Sequence, residues 1–231
     1  MSATALVGCS VVVAADHRSV DVAAVLERQG AAVRSAPPGQ AGVQKAAVQA
    51  GAGEVDAVLF ASADGAASWV AVAATTGALE DIRRRAATGR LLLAASSPIV
   101  AGPLRAEKLH NVVAESGAGG SLARCVVAHF GGEGAPSLRT DAGRLEVRSG
   151  GALIDGGFVP LSRTSASLLE TLFMARGRVL SRVEIARALP GPSRNGHAVE
   201  AAVARLRESL AGADLVQTVV KRGYRLAVTG V

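Results

Sequence analysis

The feature that most constrains the fold is the spacing of apolar residues in the C-terminal segment 197–228. One side of this segment is apolar at intervals of four, three and four residues: Val199, Val203, Leu206 and Leu210. The opposite side carries small and charged residues: Ala201, Ala204, Arg205 and Glu208. Two short apolar runs follow, joined by a basic turn that contains Lys221, Arg222 and Gly223. The segment therefore predicts an amphipathic helix followed by a β-hairpin.

A helix of this kind can lie in the major groove of DNA while a cationic hairpin reaches the adjacent phosphates. The charge of the chain is distributed accordingly. Residues 131–231 hold 14 Lys and Arg against 9 Asp and Glu, whereas residues 1–130 hold 11 against 10. A solvated basic surface would explain this excess taken alone. Together with the helix and hairpin pattern, the excess favours phosphate binding by the C-terminal half.

The same segment resembles the winged-helix effector domain of response regulators of the OmpR and PhoB type. The helix motif is carried by Val199, Glu200, Val203, Arg205, Leu206 and Arg207. The wing motif is carried by Gln217, Thr218, Val219, Gly223, Tyr224 and Arg225. Upstream, residues 144–162 alternate polar and apolar residues and predict a hairpin that turns at 155–157. Residues 165–189 predict two helices separated by Gly177, with Ser181 and Glu184 forming a capping box at the second start.

Nine residues are predicted to contact DNA: His197, Glu200, Ala201, Ala204, Arg205, Arg207, Thr218, Lys221 and Arg222. The resemblance places Arg205 near base edges, where an arginine can bind guanine bidentately, and a phosphate contact is the alternative. Glu200 is expected to accept a hydrogen bond from cytosine or to orient Arg205. The two alanines are expected to touch thymine methyl groups. Ala202 stands where relatives often have His, which implies one phosphate contact fewer. The remaining cations and Thr218 are the candidates for the phosphates and the wing.

The segment 131–137 has the composition of a linker and predicts two domains, 1–130 and 138–231. The first domain alternates helical stretches with five predicted strands: 10–16, 31–37, 56–62, 90–96 and 111–116. Continuous apolar strands separated by helices are typical of a parallel sheet that is covered on both faces. The predicted fold class is thus α/β. A single-lobed, flavodoxin-like parallel sheet is followed by a winged-helix (α+β) DNA-binding domain.

The stretches 11–37, 55–70 and 91–109 resemble uroporphyrinogen-III synthases. Their order resembles the first lobe of that two-lobed family, with the second lobe missing. The chain also resembles actinobacterial regulators, linked to nitrate and nitrite assimilation, that join such a region to a winged helix. A single lobe cannot close over a large polycarboxylate substrate, and Val100 replaces a motif threonine. We therefore expect no enzyme, and a bifunctional enzyme derived from the synthase remains an alternative.

A phosphorelay response regulator is the other alternative, and its chemistry requires clustered carboxylates. Asp16 is the only acid after the first strand, and the third strand ends at 61–62, before Asp64. No lysine follows the fifth strand. We therefore expect control without phosphorylation, through dimerisation, partner contact or ligand sensing. Asp16, His17 and the glycine-rich loop 116–121 are weak ligand candidates, for which a solvated loop is the simpler interpretation.

No apolar run reaches the length of a membrane span, and the N-terminus does not resemble a signal peptide, so we expect a cytoplasmic protein. Cys9 and Cys125 lack the spacing of metal ligands, so no metal and no cofactor are expected. The predicted partners are double-stranded DNA, a second copy of the chain in a homodimer, and possible co-regulator proteins. The predicted function is that of a sequence-specific DNA-binding transcriptional regulator.

Overall fold

The structure, a computed structural model, describes residues 5–14, 19–36, 39–115, 120–191, 196–210 and 213–229. It divides into two compact units, Met1–Pro136 and Ser137–Val231. Asp16, His17 and most of the glycine-rich loop 116–121 lie outside the described residues. Among the described residues, no helix is long and apolar enough to cross a membrane.

The N-terminal unit is built on a five-stranded parallel sheet. Its strands are β1 (Ser10–Ala14), β2 (Ala32–Ala36), β3 (Ala57–Phe60), β4 (Leu92–Ala95) and β5 (Val112–Val113). Its helices are α1 (Ser19–Arg28), α2 (Gln40–Gly51), α3 (Ala63–Thr75), α4 (Leu79–Ala87), α5 (Gly102–Ala106) and α6 (Ser121–Phe130). The strand order is β2-β1-β3-β4-β5, with every neighbouring pair parallel. The prediction of a single-lobed, flavodoxin-like sheet is confirmed.

Helices cover both faces of this sheet, which explains why its strands read as continuous apolar runs. Successive side chains of a strand point to opposite faces. Val11 and Val13 accordingly pack with residues of α1 and α6, whereas Val12 packs with residues of α2, α3, α4 and α5. Because both faces are buried, every residue of β3 and β4 is apolar and buried.

In the described part of the C-terminal unit, two antiparallel sheets are combined with three helices. Its first sheet contains β6 (Ser137–Thr140), β7 (Gly143–Arg148), β8 (Gly151–Ile154) and β9 (Gly157–Pro160), hydrogen-bonded in that order. The helices are α7 (Arg163–Met174), α8 (Arg182–Ala188) and α9 (Gly196–Ser209). The second sheet is the hairpin of β10 (Val216–Val219) and β11 (Gly223–Leu226).

The predicted hairpin is found between β8 and β9. It turns at Asp155 and Gly156, whose φ angles are 47° and 80°. Positive φ at both central residues is the conformation that an Asp-Gly pair favours in a two-residue hairpin turn. Strand β6 was not predicted from the sequence, and it begins at Ser137, inside the predicted linker. In the same segment Ala135 is buried in the core of the N-terminal unit.

The predicted separation of two helices at Gly177 is confirmed. Arg176 and Gly177, with φ of 48° and 85°, reverse the chain between α7 and α8. The predicted capping box is also present. The Ser181 side chain accepts a hydrogen bond from the Glu184 backbone N–H, and the Glu184 carboxylate accepts one from the Ser181 backbone N–H.

Candidate nucleic-acid interface

Helix α9 buries one side and exposes the other, as its sequence predicts. The apolar side is almost fully inaccessible: Val199, Val203, Leu206 and Leu210 are at most 3 % exposed. These residues pack with side chains of α7, α8 and the hairpin in the core of the C-terminal unit. Burial of this side fixes the orientation of α9, and therefore fixes which residues face solvent.

The exposed side of α9 presents a face of small and polar residues. His197, Ala201, Ala204 and Glu208 follow one another at intervals of four, three and four residues along this face, and all are exposed. With 100° of rotation per residue, Arg205 lies on one flank of the face and Glu200 on the other. Since the alanines do not project far, a partner can approach the helix backbone closely here. We call His197, Glu200, Ala201, Ala204 and Arg205 the reading face.

Glu200 does not orient Arg205, contrary to one of the two roles expected for it. Five residues of helix separate the two side chains by about 140°, so they diverge. Glu200 instead accepts a hydrogen bond from Nε of Arg182 at 3.2 Å, and His197 Nδ1 lies 3.9 Å from its other oxygen. The Arg182 guanidinium is also 5.6 Å from the centre of the Tyr224 ring. Arg182 therefore links α8, the reading face and the hairpin.

Ala202 is only 1 % exposed and belongs to the core of the C-terminal unit. The expectation of one phosphate contact fewer at this position stays a prediction, and the burial of the side chain agrees with it. A side chain that points into the core cannot reach a ligand at the surface.

Arg205 is exposed at the edge of the reading face. Its Nε donates to the carbonyl oxygen of Ala201, one turn earlier, at 3.2 Å. This bond lays the guanidinium along the helix surface.

Arg207 and Thr218, both predicted to contact DNA, are hydrogen-bonded to each other. Arg207 Nη2 donates to Thr218 Oγ1 at 2.9 Å. The same guanidinium donates to the Val216 carbonyl from Nε at 3.0 Å and from Nη2 at 2.6 Å. Arg207 thus holds β10 against α9 and sets the position of the hairpin relative to the reading face. This role could not be predicted from local sequence, because the partners lie nine and eleven residues further along the chain.

The hairpin has a three-residue loop, Val220, Lys221 and Arg222, between the paired residues Val219 and Gly223. Lys221 takes a left-handed conformation with φ of 61°, and the Arg222 backbone N–H donates to the Val219 carbonyl at 2.9 Å. Both cations are exposed. Val220, which was not among the residues predicted to contact DNA, is 77 % exposed at the same tip. The loop therefore offers two cations and one apolar group to a partner.

Glycine is required at position 223. Its φ is 136°, and a Cβ placed there would lie 1.9 Å from the Leu180 carbonyl oxygen. This close approach lets Leu180 and Tyr224 exchange two backbone hydrogen bonds, of 2.8 and 2.9 Å. The Gly-Tyr pair thereby fastens the hairpin to the chain just before α8.

The capping box gives α8 a charged start. The backbone N–H of Ser181, the Arg178 guanidinium and the Ser181 hydroxyl donate to the Glu184 carboxylate, and they lower its pKa to about 2. The carboxylate is therefore charged at neutral pH and compensates the positive end of α8.

Among the described residues, no group of His, Cys, Asp and Glu side chains could hold a metal ion.

A three-helix core, a four-stranded sheet and a hairpin beside an exposed helix define a winged helix. Residues 156–226 match the family described as "Transcriptional regulatory protein, C terminal". The C-terminal unit accordingly has a winged-helix fold, and most of its residues match this family of transcriptional regulatory proteins. No curated protein matches the chain.

Several solved structures are similar to this chain. The DNA-binding domain of CpxR from E. coli is 27% identical, with 40% of this chain and 96% of that chain covered and a TM-score of 0.33. The Klebsiella pneumoniae RstA DNA-binding domain, in complex with the RstA box, is 23% identical, with 39% and 96% covered and a TM-score of 0.34. The response regulator DrrB, a Thermotoga maritima OmpR/PhoB homolog, is 14% identical, with 96% and 100% covered and a TM-score of 0.36. Because these TM-scores are low, the identification of the winged helix rests on the family match and on the fold of the C-terminal unit.

Proposed function

We propose that this regulator binds double-stranded DNA in a sequence-specific manner, with α9 in the major groove and the β10–β11 loop on neighbouring phosphates. One observation carries the proposal. A solvent-facing side of α9 with short side chains lies on a helix whose other side is fixed in the core, and a cationic hairpin is fastened to that helix. A major groove admits one α-helix, and exposed cations beside it can neutralise phosphates.

The residues of this interface are proposed to have different roles in DNA binding. Arg205 reads a base edge, and Lys221 and Arg222 contact phosphates irrespective of sequence. The two alanines of the reading face can touch thymine methyl groups but cannot donate hydrogen bonds. The helix therefore reads few bases directly, and DNA shape contributes to its specificity. Arg207 acts mainly by positioning the hairpin. A phosphate contact by Arg207 would use those N–H groups of its guanidinium that are not hydrogen-bonded to Val216 or Thr218.

The N-terminal unit is proposed to serve dimerisation, partner contact or ligand sensing without phosphorylation. Strand β3 is followed by Ala61 and Ser62, so no carboxylate stands where a receiver domain has its acceptor aspartate. A homodimer would place two winged helices on half-sites about one helical turn apart. The relation to uroporphyrinogen-III synthases and to the fusion regulators remains a hypothesis that rests on sequence motifs alone. We propose that the unit has no synthase activity.

Footprinting of the full-length protein on its own upstream DNA, with an excess of unrelated competitor DNA, tests the central proposal. We expect a discrete protected region that survives the competitor. Uniform protection that the competitor abolishes would contradict sequence-specific binding.

On the same preparation, labelling by acetyl phosphate would support the phosphorelay alternative. Turnover of hydroxymethylbilane to the type-III isomer would support the enzyme alternative.

A further inference from the structure

Glu200 is the acidic member of the reading face. Its side chain is 50 % exposed, so a partner of α9 can reach the carboxylate. Within about 8 Å, the screening length at physiological salt, the phosphates of DNA repel a carboxylate. A glutamate on a helix that enters the major groove is therefore favourable only when a cation lies beside it and a base donates a hydrogen bond to it.

Arg182, the first residue of α8, supplies the cation. Its Nε donates a hydrogen bond to Glu200 Oε1 at 3.2 Å. Its guanidinium is also 5.6 Å from the centre of the Tyr224 ring, within the limit of about 6 Å for a cation–π contact. The ring itself is fixed, because Tyr224 is buried and its backbone is hydrogen-bonded to Leu180. Arg182 thus contacts a fixed aromatic ring on one side and the carboxylate of the reading face on the other.

Neighbouring charges leave this pair intact. The carboxylate of Glu184, two residues after Arg182, is hydrogen-bonded to Ser181 and to the Arg178 guanidinium. His197 Nδ1 lies 3.9 Å from Oε2 of Glu200, which is too far for a hydrogen bond. Among the described residues, none donates a hydrogen bond to Oε2. The carboxylate therefore keeps an acceptor that a base can use.

The chemistry of the base edges selects the partner of this acceptor. In the major groove, cytosine presents an N–H donor at N4 and adenine presents one at N6. Adenine also presents the N7 acceptor beside its donor, which suits an amide but not a carboxylate, because a carboxylate cannot donate. Guanine and thymine present acceptors, which a carboxylate repels. Cytosine is therefore the base that fits Glu200 best.

We infer that Glu200 selects a cytosine at one base pair of the operator by accepting a hydrogen bond from N4, and that Arg182 is the residue that positions Glu200 for this contact. Arg182 lies outside α9 and is not among the nine residues predicted to contact DNA. The inference rests on the proposed function and adds to it the base that one position of α9 selects. It also assigns to the contact between α8 and α9 a role in specificity.

Gel shifts of the full-length protein on duplexes of the footprinted region test the choice of base, with each C·G pair exchanged in turn for T·A. The exchange puts the O4 acceptor of thymine in place of the N4 donor of cytosine. At one pair, the exchange should weaken binding about tenfold. Glu200→Gln should lose this response, because an amide can accept from cytosine and can also donate to thymine.

Two results of this experiment would overturn the inference in different ways. A footprint in which no C·G pair shows a response that depends on Glu200 overturns the inference alone. The absence of a discrete footprint overturns the proposed function, and the inference fails with it.

Arg182→Ala tests the positioning role. The preference for C·G over T·A at the responding pair should fall at least about threefold, while preferences at other pairs stay the same. In the Glu200→Gln background, Arg182→Ala should leave the ratio of the two affinities unchanged. Arg178→Ala is the matched control, because this arginine lies at the same end of α8 but bonds Glu184, and it should leave every preference unchanged.

A uniform loss of affinity on every duplex, with a smaller dependence on salt, would show that Arg182 contacts phosphate and would overturn the positioning role. Circular dichroism establishes that the variants are folded. If Arg182→Ala does not fold, Arg182→Lys takes its place. Lysine keeps the charge but lacks the planar guanidinium, so the preference for C·G should again fall.

Discussion

Replacement of Arg207 by Ala is expected to loosen the hairpin from α9. The guanidinium donates two hydrogen bonds to the Val216 carbonyl and one to Thr218 Oγ1. Hydrogen bonds to charged groups contribute roughly 1.5–3 kcal/mol net when they are well shielded. Here the guanidinium is largely exposed, and the carbonyl it leaves lies on an edge strand where water can replace it. We therefore expect the C-terminal unit to lose about 1–2 kcal/mol of unfolding free energy.

Urea denaturation of the full-length chain measures this loss, because each unit has its own spectroscopic probe. Tyr224, the only tyrosine, is buried in the C-terminal unit, and Trp69, the only tryptophan, is buried in the N-terminal unit. In the Arg207 variant the tyrosine transition should move to lower urea while the tryptophan transition stays in place. Arg205→Ala is the matched control. It removes an arginine two residues away that bonds only its own helix among the contacts described, and it should change stability by less than about 0.5 kcal/mol.

Equal tyrosine transitions for the Arg207 variant and the unmodified protein would show that Arg207 does not stabilise the hairpin against α9. The hydrogen bonds to β10 would then contribute nothing net, and the guanidinium would be free to serve DNA. A comparable loss in the Arg205 variant would show instead that removal of either arginine perturbs α9 as a whole.

Three further predictions concern the interface and its support. Arg205→Ala should weaken specific DNA binding by about 1–3 kcal/mol in gel-shift titrations, and an unchanged affinity would remove Arg205 from the reading face. Joint replacement of Lys221 and Arg222 by Ala should reduce the slope of log K against log salt by up to about two, whereas an unchanged slope would mean that the hairpin does not touch phosphate. The pKa of Glu184 is lowered from 4.5 to about 2, so its contribution to stability is present above pH 4.5 and is lost as the pH falls toward 2. The tyrosine-monitored stability of Glu184→Gln should therefore depend less on pH in this window, and curves parallel to those of the unmodified protein would contradict the capping role.

Features that depend on local sequence were predictable. The apolar stripe of α9 follows from helical periodicity, and the start of α8 follows from a Ser and a Glu three residues apart. The turn at Asp155 and Gly156 follows from the ease with which this pair adopts positive φ. Strand alternation likewise predicted the parallel sheet, since only a sheet covered on both faces accommodates such apolar strands.

Features that depend on contacts between elements were not predictable. Glu200 bonds Arg182 because α8 and α9 pack together, and a position on one helix does not reveal which side chain of another helix will meet it. Likewise, Arg207 is hydrogen-bonded to Val216 because α9 and β10 pack together, and its position on the helix does not reveal this. Strand β6 was missed because Ser137 and its neighbours are too few and too polar to show a period, and pairing with β7 determines their conformation.

A single substitution on the reading face tests whether α9 contacts DNA. Ala204→Asp places a negative charge where α9 is proposed to enter the major groove, and Ala71→Asp makes the same change at an exposed position of helix α3 in the other unit. Footprints of both variants should be compared with that of the unmodified protein at one salt concentration. We expect the Ala71 variant to protect the same DNA region and the Ala204 variant to lose this protection, while both remain folded. Protection of the same region by a folded Ala204 variant at unchanged affinity would contradict DNA reading by α9.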